Sequence, residues 1–397
     1  MWTILIIYLL ILSIYLSIKL KFKNYKINLK ELLKKDKTSL FLTLGTKIGV
    51  GSIIGTCSSI LIGGFSSVLW IIIFSLLFTS IIYYESYYGN KYKKINNNEY
   101  VGGPYFILRY GLNKKTLSIF SLILLIIVYS FLFQMIQFNT ISYVLINNIN
   151  ISKIIIILIT IFILFITINM SIKDVLNIMN KIVPYMCLIF IIVCLFLIIK
   201  NINYFNINIF LKDFTSLKSV LSGLLIGIKR SIFMNETLIG TTSTSSASDK
   251  NDVNTSIKYQ ILSTYFISII ITILITCLLI IYLNISSINT SDYNLVMINL
   301  FNNLSGKFGS YFLLIIYILF GFTTVLSGFY IGKSNIEYLT NNRIILFIFK
   351  LLFIISCILG ILFKSDFIWK YLDIFNFIMI IINSYSIIFL VMKYDRK

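Results

Sequence analysis

From residue 2 to residue 392 the chain is a succession of apolar stretches about twenty residues long, and two of them are broken by polar, glycine-rich sequence. Stretches of that length suffice to cross a bilayer core of about 30 Å. The breaks are Gly45-Thr46-Lys47-Ile48-Gly49-Val50-Gly51-Ser52 and Phe233-Met234-Asn235-Glu236-Thr237 through Ser246. Lipid satisfies no backbone N–H or C=O, so irregular backbone at membrane depth persists only where it lines a cavity or is buried in protein. Two breaks, each opening one half of the chain, predict an inverted repeat with a binding site where the breaks meet, as in secondary transporters. Close helix packing through Gly51 and Gly55, a G-x-x-x-G pair, explains part of the first break. It explains nothing of Asn235, Glu236 and the Thr/Ser run that follows.

Of the 397 residues 58% are hydrophobic and 12% charged, against about 25% charged in a soluble globule. The class is therefore a polytopic helical membrane protein. The opening stretch to Leu20 lacks the basic start and small-residue cleavage site of a signal peptide, and is expected to remain as a first span. The formal charge of +20 does not point to nucleic acid, because the basic residues gather in alternate loops. No histidine is present, which removes imidazole metal sites, histidine acid/base chemistry and Ser-His-Asp triads. The five cysteines, Cys57, Cys187, Cys194, Cys277 and Cys357, stand singly in apolar runs and read as small hydrophobes. Neither an enzyme nor a cofactor is expected.

About eleven spans are predicted, near 2–20, 40–62, 65–88, 118–146, 152–170, 178–199, 219–246, 257–283, 309–331, 345–363 and 369–392. The first basic loop holds Lys19, Lys21, Lys23, Lys26, Lys30, Lys34, Lys35 and Lys37. Further basic loops follow at 89–117, 171–181, 249–258 and 332–344, and Lys393, Arg396 and Lys397 close the series. All fall on one side if the N-terminus is outside and the C-terminus cytoplasmic, the asymmetry that sets topology in cell membranes. Without span one, the rest divides five and five. The whole chain, 1–397, is one transmembrane domain: an extra helix and basic loop over 1–39, a first repeat over 40–200 and a second over 218–392. Halves with an odd span count lie antiparallel, which brings the two breaks together at mid-bilayer.

At these residues the chain resembles the sodium:alanine/glycine symporter family (alanine or glycine:cation symporters). The family pattern G-T-G-N-I-x-G is met by Gly49-Val50-Gly51-Ser52-Ile53-Ile54-Gly55, followed by Gly63-Gly64, Trp70 and Glu85. Gly102-Gly103-Pro104-Tyr105-Phe106-Ile107, Gln137-Phe138-Asn139 and Val183-Pro184-Tyr185-Met186 match in order. The family stretch K-R-G-x-F-S-N-E-A-G-x-G is met by Lys229-Arg230-Ser231-Ile232-Phe233-Met234-Asn235-Glu236-Thr237-Leu238-Ile239-Gly240. Phe322-Thr323-Thr324, Asn335-Ile336-Glu337-Tyr338-Leu339, Trp369, Asp373, Met379 and Asn383 complete the match from about residue 40 to the end. The resemblance implies a LeuT-type five-plus-five inverted repeat behind one extra helix. It also implies uptake of a small neutral amino acid, alanine or glycine, driven by sodium or by protons. Departures stand at Ser52 (family Asn), Leu238 (Gly), Ser243 (Pro), Ile271 (Asp), Lys333 (Glu), and Phe375 and Phe377 (both Gly). They leave open another small solute carried by the same fold, or an amino-acid sensor that does not transport.

A zwitterion at the membrane centre needs donors for its carboxylate and acceptors for its ammonium. Helix N-termini supply the first, so the backbone at Gly49, Gly51 and Ser52 is expected to take the carboxylate. Asn235 and the carbonyls near Phe233 are expected to take the ammonium or a sodium ion. By resemblance Gln137 contributes to recognition, with Phe233 and Met379 walling off the side chain. The LeuT-type sodium site corresponds to carbonyls near Thr46 and Gly49 facing Thr323 and Thr324. Adjacent threonines in a membrane helix also back-bond to their own helix, and the two readings stay open. Ionisable groups in spans are functional by default, which marks Glu236 as the coupling or gating acid. Glu85 and Asp373 are gating candidates or structural groups near the interface. Lys47 and Arg230 are expected to pair with acids across the bundle.

Overall fold

A computed structural model describes residues 2–23, 32, 34–96, 98–286 and 292–395. Lys26, Lys30, Arg396 and Lys397 of the basic segments lie outside the described residues. The described chain is almost entirely helical. In order it forms α1 (Trp2–Lys19), α2 (Thr38–Lys47), α3 (Val50–Gly63), α4 (Ser66–Lys91), α5 (Lys115–Ile149), α6 (Lys153–Asn169) and α7 (Ile172–Lys200). Then come α8 (Leu217–Met234), α9 (Thr241–Ser246), α10 (Val253–Ile285), α11 (Tyr293–Ser305), α12 (Gly309–Leu339), α13 (Arg343–Leu362) and α14 (Ser365–Asp395). A two-stranded hairpin, β1 (Lys94–Asn96) with β2 (Glu99–Val101), follows α4.

Eight of these helices, α1, α4, α5, α7, α10, α12, α13 and α14, are long and apolar enough to cross a membrane. The pair α2 and α3, bent by 47° at its break, makes a ninth if counted as one span. This falls short of the eleven expected, for two physical reasons. Helix α6 has 17 residues, under the length that reaches across a bilayer untilted. Helix α8 carries Lys218, Lys229 and Arg230, and its continuation α9 is a six-residue Thr/Ser helix.

Local sequence explains the helix ends. Ser171 and Asp174 form a reciprocal capping box at the start of α7. Asp252 and Asn342 cap α10 and α13 through their side chains. Helix α5 ends on Asn150 in the left-handed region, φ 57°, a conformation asparagine tolerates. Isoleucine-rich faces stay exposed on α1 (Ile4, Ile11, Ile18), α6 (Ile154, Leu158, Phe162) and α13 (Ile344, Phe347, Leu351). These are the faces expected to meet lipid. The most buried of the eight candidate spans is α12, which packs against α5, α7 and α2.

Small residues set the distances that matter. Gly227 on α8 lies so close to α4 that a methyl group there would come within 2.7 Å of the Ser67 carbonyl oxygen. Close backbone approach of this kind replaces the hydrophobic drive that lipid does not supply. Helix α8 is held against both α3 and α4, and this contact fixes one break beside the other. Helix α1 packs outside α4, with the Ser80 hydroxyl donating to the Ser13 carbonyl at 2.8 Å.

Candidate functional site

The first break consists of Ile48 and Gly49. Helix α2 runs out at Lys47, Gly49 is extended (φ −98°, ψ 176°), and α3 begins at Val50. First-turn N–H groups of a helix have no partner within it. Here the Gln137 side-chain carbonyl, from α5, accepts from the Val50 N–H at 2.9 Å. The Ser52 hydroxyl donates to the Gly49 carbonyl at 2.7 Å. On the α2 side, the Thr324 hydroxyl donates to the Gly45 carbonyl at 3.1 Å and to its own helix at Phe320, 3.0 Å.

The second break spans Asn235 to Gly240, where Glu236 (φ 51°), Leu238 (φ 62°) and Gly240 (φ 100°) are all left-handed. For a residue with a Cβ this conformation costs about 1–2 kcal/mol, so the surroundings must impose it. Glu85 accepts from the Leu238 N–H at 3.1 Å, and the Asn383 amide donates to the Leu238 carbonyl at 2.7 Å. Asn235 is fully engaged within the protein. Its amide donates to Ser75 (2.6 Å) and to the Ser231 carbonyl (2.8 Å), and its carbonyl accepts from Ser268 (2.8 Å). Thr241 donates to the Glu236 carboxylate.

Both breaks line one buried void of about 10 Å³, together with Thr46, Lys47, Gly49, Gly51, Ser52, Phe133, Gln137, Phe233, Met234 and Glu236. That is room for about one water molecule. Its charges come from both halves. The Lys47 ammonium donates to Ser263 (3.2 Å) and Thr264 (3.3 Å) on α10 and interacts electrostatically with Glu236 and Glu85. The Tyr129 ring, fully buried, presents its hydroxyl toward Thr46 and Glu236.

Two larger cavities approach the void from one end of the bundle. One of about 600 Å³ reaches Gly51 and is walled by Asn139, Tyr143, Lys153 and Asp292. The other, about 490 Å³, reaches Phe233 between α1, α3, α8 and α14. They share Ile54, Tyr293, Asp366 and Trp369. An aromatic floor lies between the second cavity and the void: Phe233 stacks on Phe133, with ring centroids 5.2 Å apart and planes 6° from parallel, and meets Trp369 at 4.9 Å.

Of the expected site residues, Thr46, Gly49, Gly51, Ser52, Gln137, Phe233 and Glu236 come together at the void. Thr323 turns instead to α7, its hydroxyl bonded to the Phe320 carbonyl and beside the Met186 sulfur at 3.3 Å. Met379 is buried in the apolar core. Asp373 pairs with Lys229 at the edge of the 490 Å³ cavity. Glu85 sits behind the second break rather than in the void. Phe133, Trp369 and Tyr129 were not among the expected site residues. Phe133 lies four residues before Gln137, on the same helix face, and that spacing was the available signal. Among the described residues no cluster of His, Cys, Asp and Glu could hold a metal ion.

Comparison with known proteins agrees with this architecture. The family model described as the sodium:alanine symporter family matches residues 1–396. The chain is 25% identical over 415 residues to the probable sodium/glutamine symporter GlnT of Bacillus subtilis, covering 98% of this chain and 86% of that one. It is 26% identical to the amino-acid carrier protein AlsT of the same organism over 355 residues (87% and 75% coverage). It is 23% identical to the sodium/alanine symporter AgcS of Methanococcus maripaludis over 420 residues (95% and 89%). A whole-chain family match, many apolar spans and two helix breaks around one void make this a multi-pass membrane transporter, not an enzyme, and the chain belongs to the sodium:alanine symporter family.

Proposed function

We propose that the chain carries a small neutral amino acid, alanine or glycine, across the cell membrane together with sodium, by alternating access. In this reading eleven spans form two LeuT-type five-span repeats, 40–200 and 218–392, behind the extra helix of 1–39. The N-terminus is outside and the C-terminus cytoplasmic, as the basic loops favour. The observation that carries the reading is the single void shared by the two breaks. Sodium coupling is supported by the family and by the relatives named as sodium symporters.

The substrate carboxylate goes to the start of α3 at Gly49, Gly51 and Ser52, where the helix end favours negative charge. The ammonium goes to Glu236 and the carbonyls near Phe233. Sodium goes to oxygens around Gly45, Thr46 and Thr324. The void holds about one water, so an amino acid enters only when the Phe233 ring swings out of its stack on Phe133. A pocket opened by so small a movement selects small side chains.

The test is uptake of radiolabelled alanine and glycine by proteoliposomes, with and without an inward sodium gradient. Accumulation only with the gradient supports the reading. Equal uptake without sodium removes the sodium coupling, and binding without any counterflow makes the chain a sensor rather than a carrier.

A further inference from the structure

We propose that the basic pocket where α12 ends and α13 begins binds the headgroup of an anionic phospholipid. The proposal needs only a chain that spans a membrane, so it stands apart from the transport reading above.

The pocket, about 300 Å³, is lined by Lys333 and Glu337 of α12 and by Arg343, Leu346, Phe347 and Lys350 of α13. Three cations face one acid. Lys333 stands where the resembling family has glutamate, so the excess positive charge belongs to this chain. The protein neutralises only Lys333: its ammonium donates to the Met170 carbonyl at 2.6 Å and lies 3.7 Å from Glu337. Asp174, the other acid that acts on Lys333, has its carboxylate engaged by Ser171 at the start of α7. Among the described residues, the side chains of Arg343 and Lys350 have neither a hydrogen bond nor an ion pair.

Lys350 lies seven residues beyond Arg343, about 10 Å along the helix axis, and its neighbours Ile348 and Leu351 are exposed apolar side chains. A cation at that depth against lipid is costly unless it is paired, and Lys333 repels it. An anion seated among Lys333, Arg343 and Lys350 removes both faults. The spacing 343, 346, 347, 350 puts all four α13 residues on one helix face, with two apolar side chains between two cations. A phosphate with acyl chains attached matches that strip, and the exposed Ile344, Ile348 and Leu351 continue it as a surface for the chains. Free phosphate would satisfy the cations and leave Leu346 and Phe347 uncovered. The pocket also lies in one of the basic loops expected to be cytoplasmic, where basic pockets between spans hold lipid headgroups.

The experiment is native mass spectrometry of the full chain in detergent, titrated with phosphatidylglycerol or with phosphatidylcholine, whose choline offsets the phosphate charge. The first phosphatidylglycerol is expected to bind about tenfold tighter than the first phosphatidylcholine. Arg343→Gln and Lys350→Gln each weaken it about tenfold, the loss of one hydrogen bond between charged groups. Lys333→Glu removes the preference. Lys114→Gln together with Lys115→Gln, which removes two exposed lysines elsewhere, leaves it unchanged. Should Lys350→Gln misfold, Arg343→Gln, altered at an exposed helix start, still decides. Equal binding of the two lipids overturns the proposal. So does a preference that survives Arg343→Gln and Lys333→Glu, or one that falls as far in the Lys114 and Lys115 variant. Displacement of the lipid by inorganic phosphate overturns the lipid assignment and leaves a free-anion site. Absence of sodium-driven uptake with the lipid preference intact overturns the transport reading alone.

Discussion

A methyl group at Gly49 would sit 2.9 Å from the Gln137 amide nitrogen and 3.0 Å from the Thr324 hydroxyl. Gly49→Ala is therefore expected to fill the void and abolish uptake while the protein still inserts and folds, a combination that transport and thermal-melting assays separate. Asn235→Ala has the opposite signature. It strips partners from the Ser75 and Ser268 hydroxyls, and buried groups left unpaired cost about 1–3 kcal/mol each. A lower melting temperature with unchanged apparent alanine affinity in the surviving protein is expected. A raised KM at unchanged stability would instead restore Asn235 as a direct ligand. At this scale the sequence told which residue types the breaks contain but not where they point. Asn235 looked like a ligand because a polar residue in a span must be satisfied. The serines that satisfy it come from α4 and α10, 160 and 33 residues away, and no local pattern announces them.

The second break is an element held open by its neighbours. Three left-handed residues in five positions would collapse toward helix without Glu85 and Asn383, which take the N–H and the carbonyl of Leu238 from α4 and α14. Glu85→Gln keeps an acceptor for the Leu238 N–H and is expected to fold near wild-type stability. Glu85→Ala leaves that N–H buried and unpaired and is expected to lose about 1–3 kcal/mol, together with uptake. Equal melting of the two variants would remove Glu85 from this role. Leu238, where the resembling family has glycine, sets two effects against each other. Removing its fully buried side chain costs about 2–5 kcal/mol and relieves about 1–2 kcal/mol of backbone strain, so Leu238→Gly is expected to destabilise. Both breaks were legible in the sequence because polar, glycine-rich tracts interrupt otherwise continuous apolar runs. The span count was less so: α6 and the α8–α9 pair follow the apolar pattern but are shorter or more charged than the eight helices that qualify as crossing by length and composition alone.

Over the whole molecule, both large cavities open at the end that carries Trp2, Tyr293 and Asp366, away from the basic segment Lys91–Lys94. If the basic loops are cytoplasmic, that end faces outward and the aromatic floor at Phe233 is the closed outer gate. A cysteine placed at Thr3 is then expected to react with an impermeant maleimide from outside intact cells, and one placed at Lys94 is not. The native cysteines interfere little, being buried except for the half-buried Cys277. The reversed pattern would invert the topology. The most direct measurement of the central claim is a structure of the chain in nanodiscs with sodium and alanine. Alanine is expected between the Gly49–Ser52 backbone and Glu236, with the Phe233 ring displaced from Phe133. Alanine bound elsewhere, with the void between the breaks still closed and empty of substrate, would contradict it.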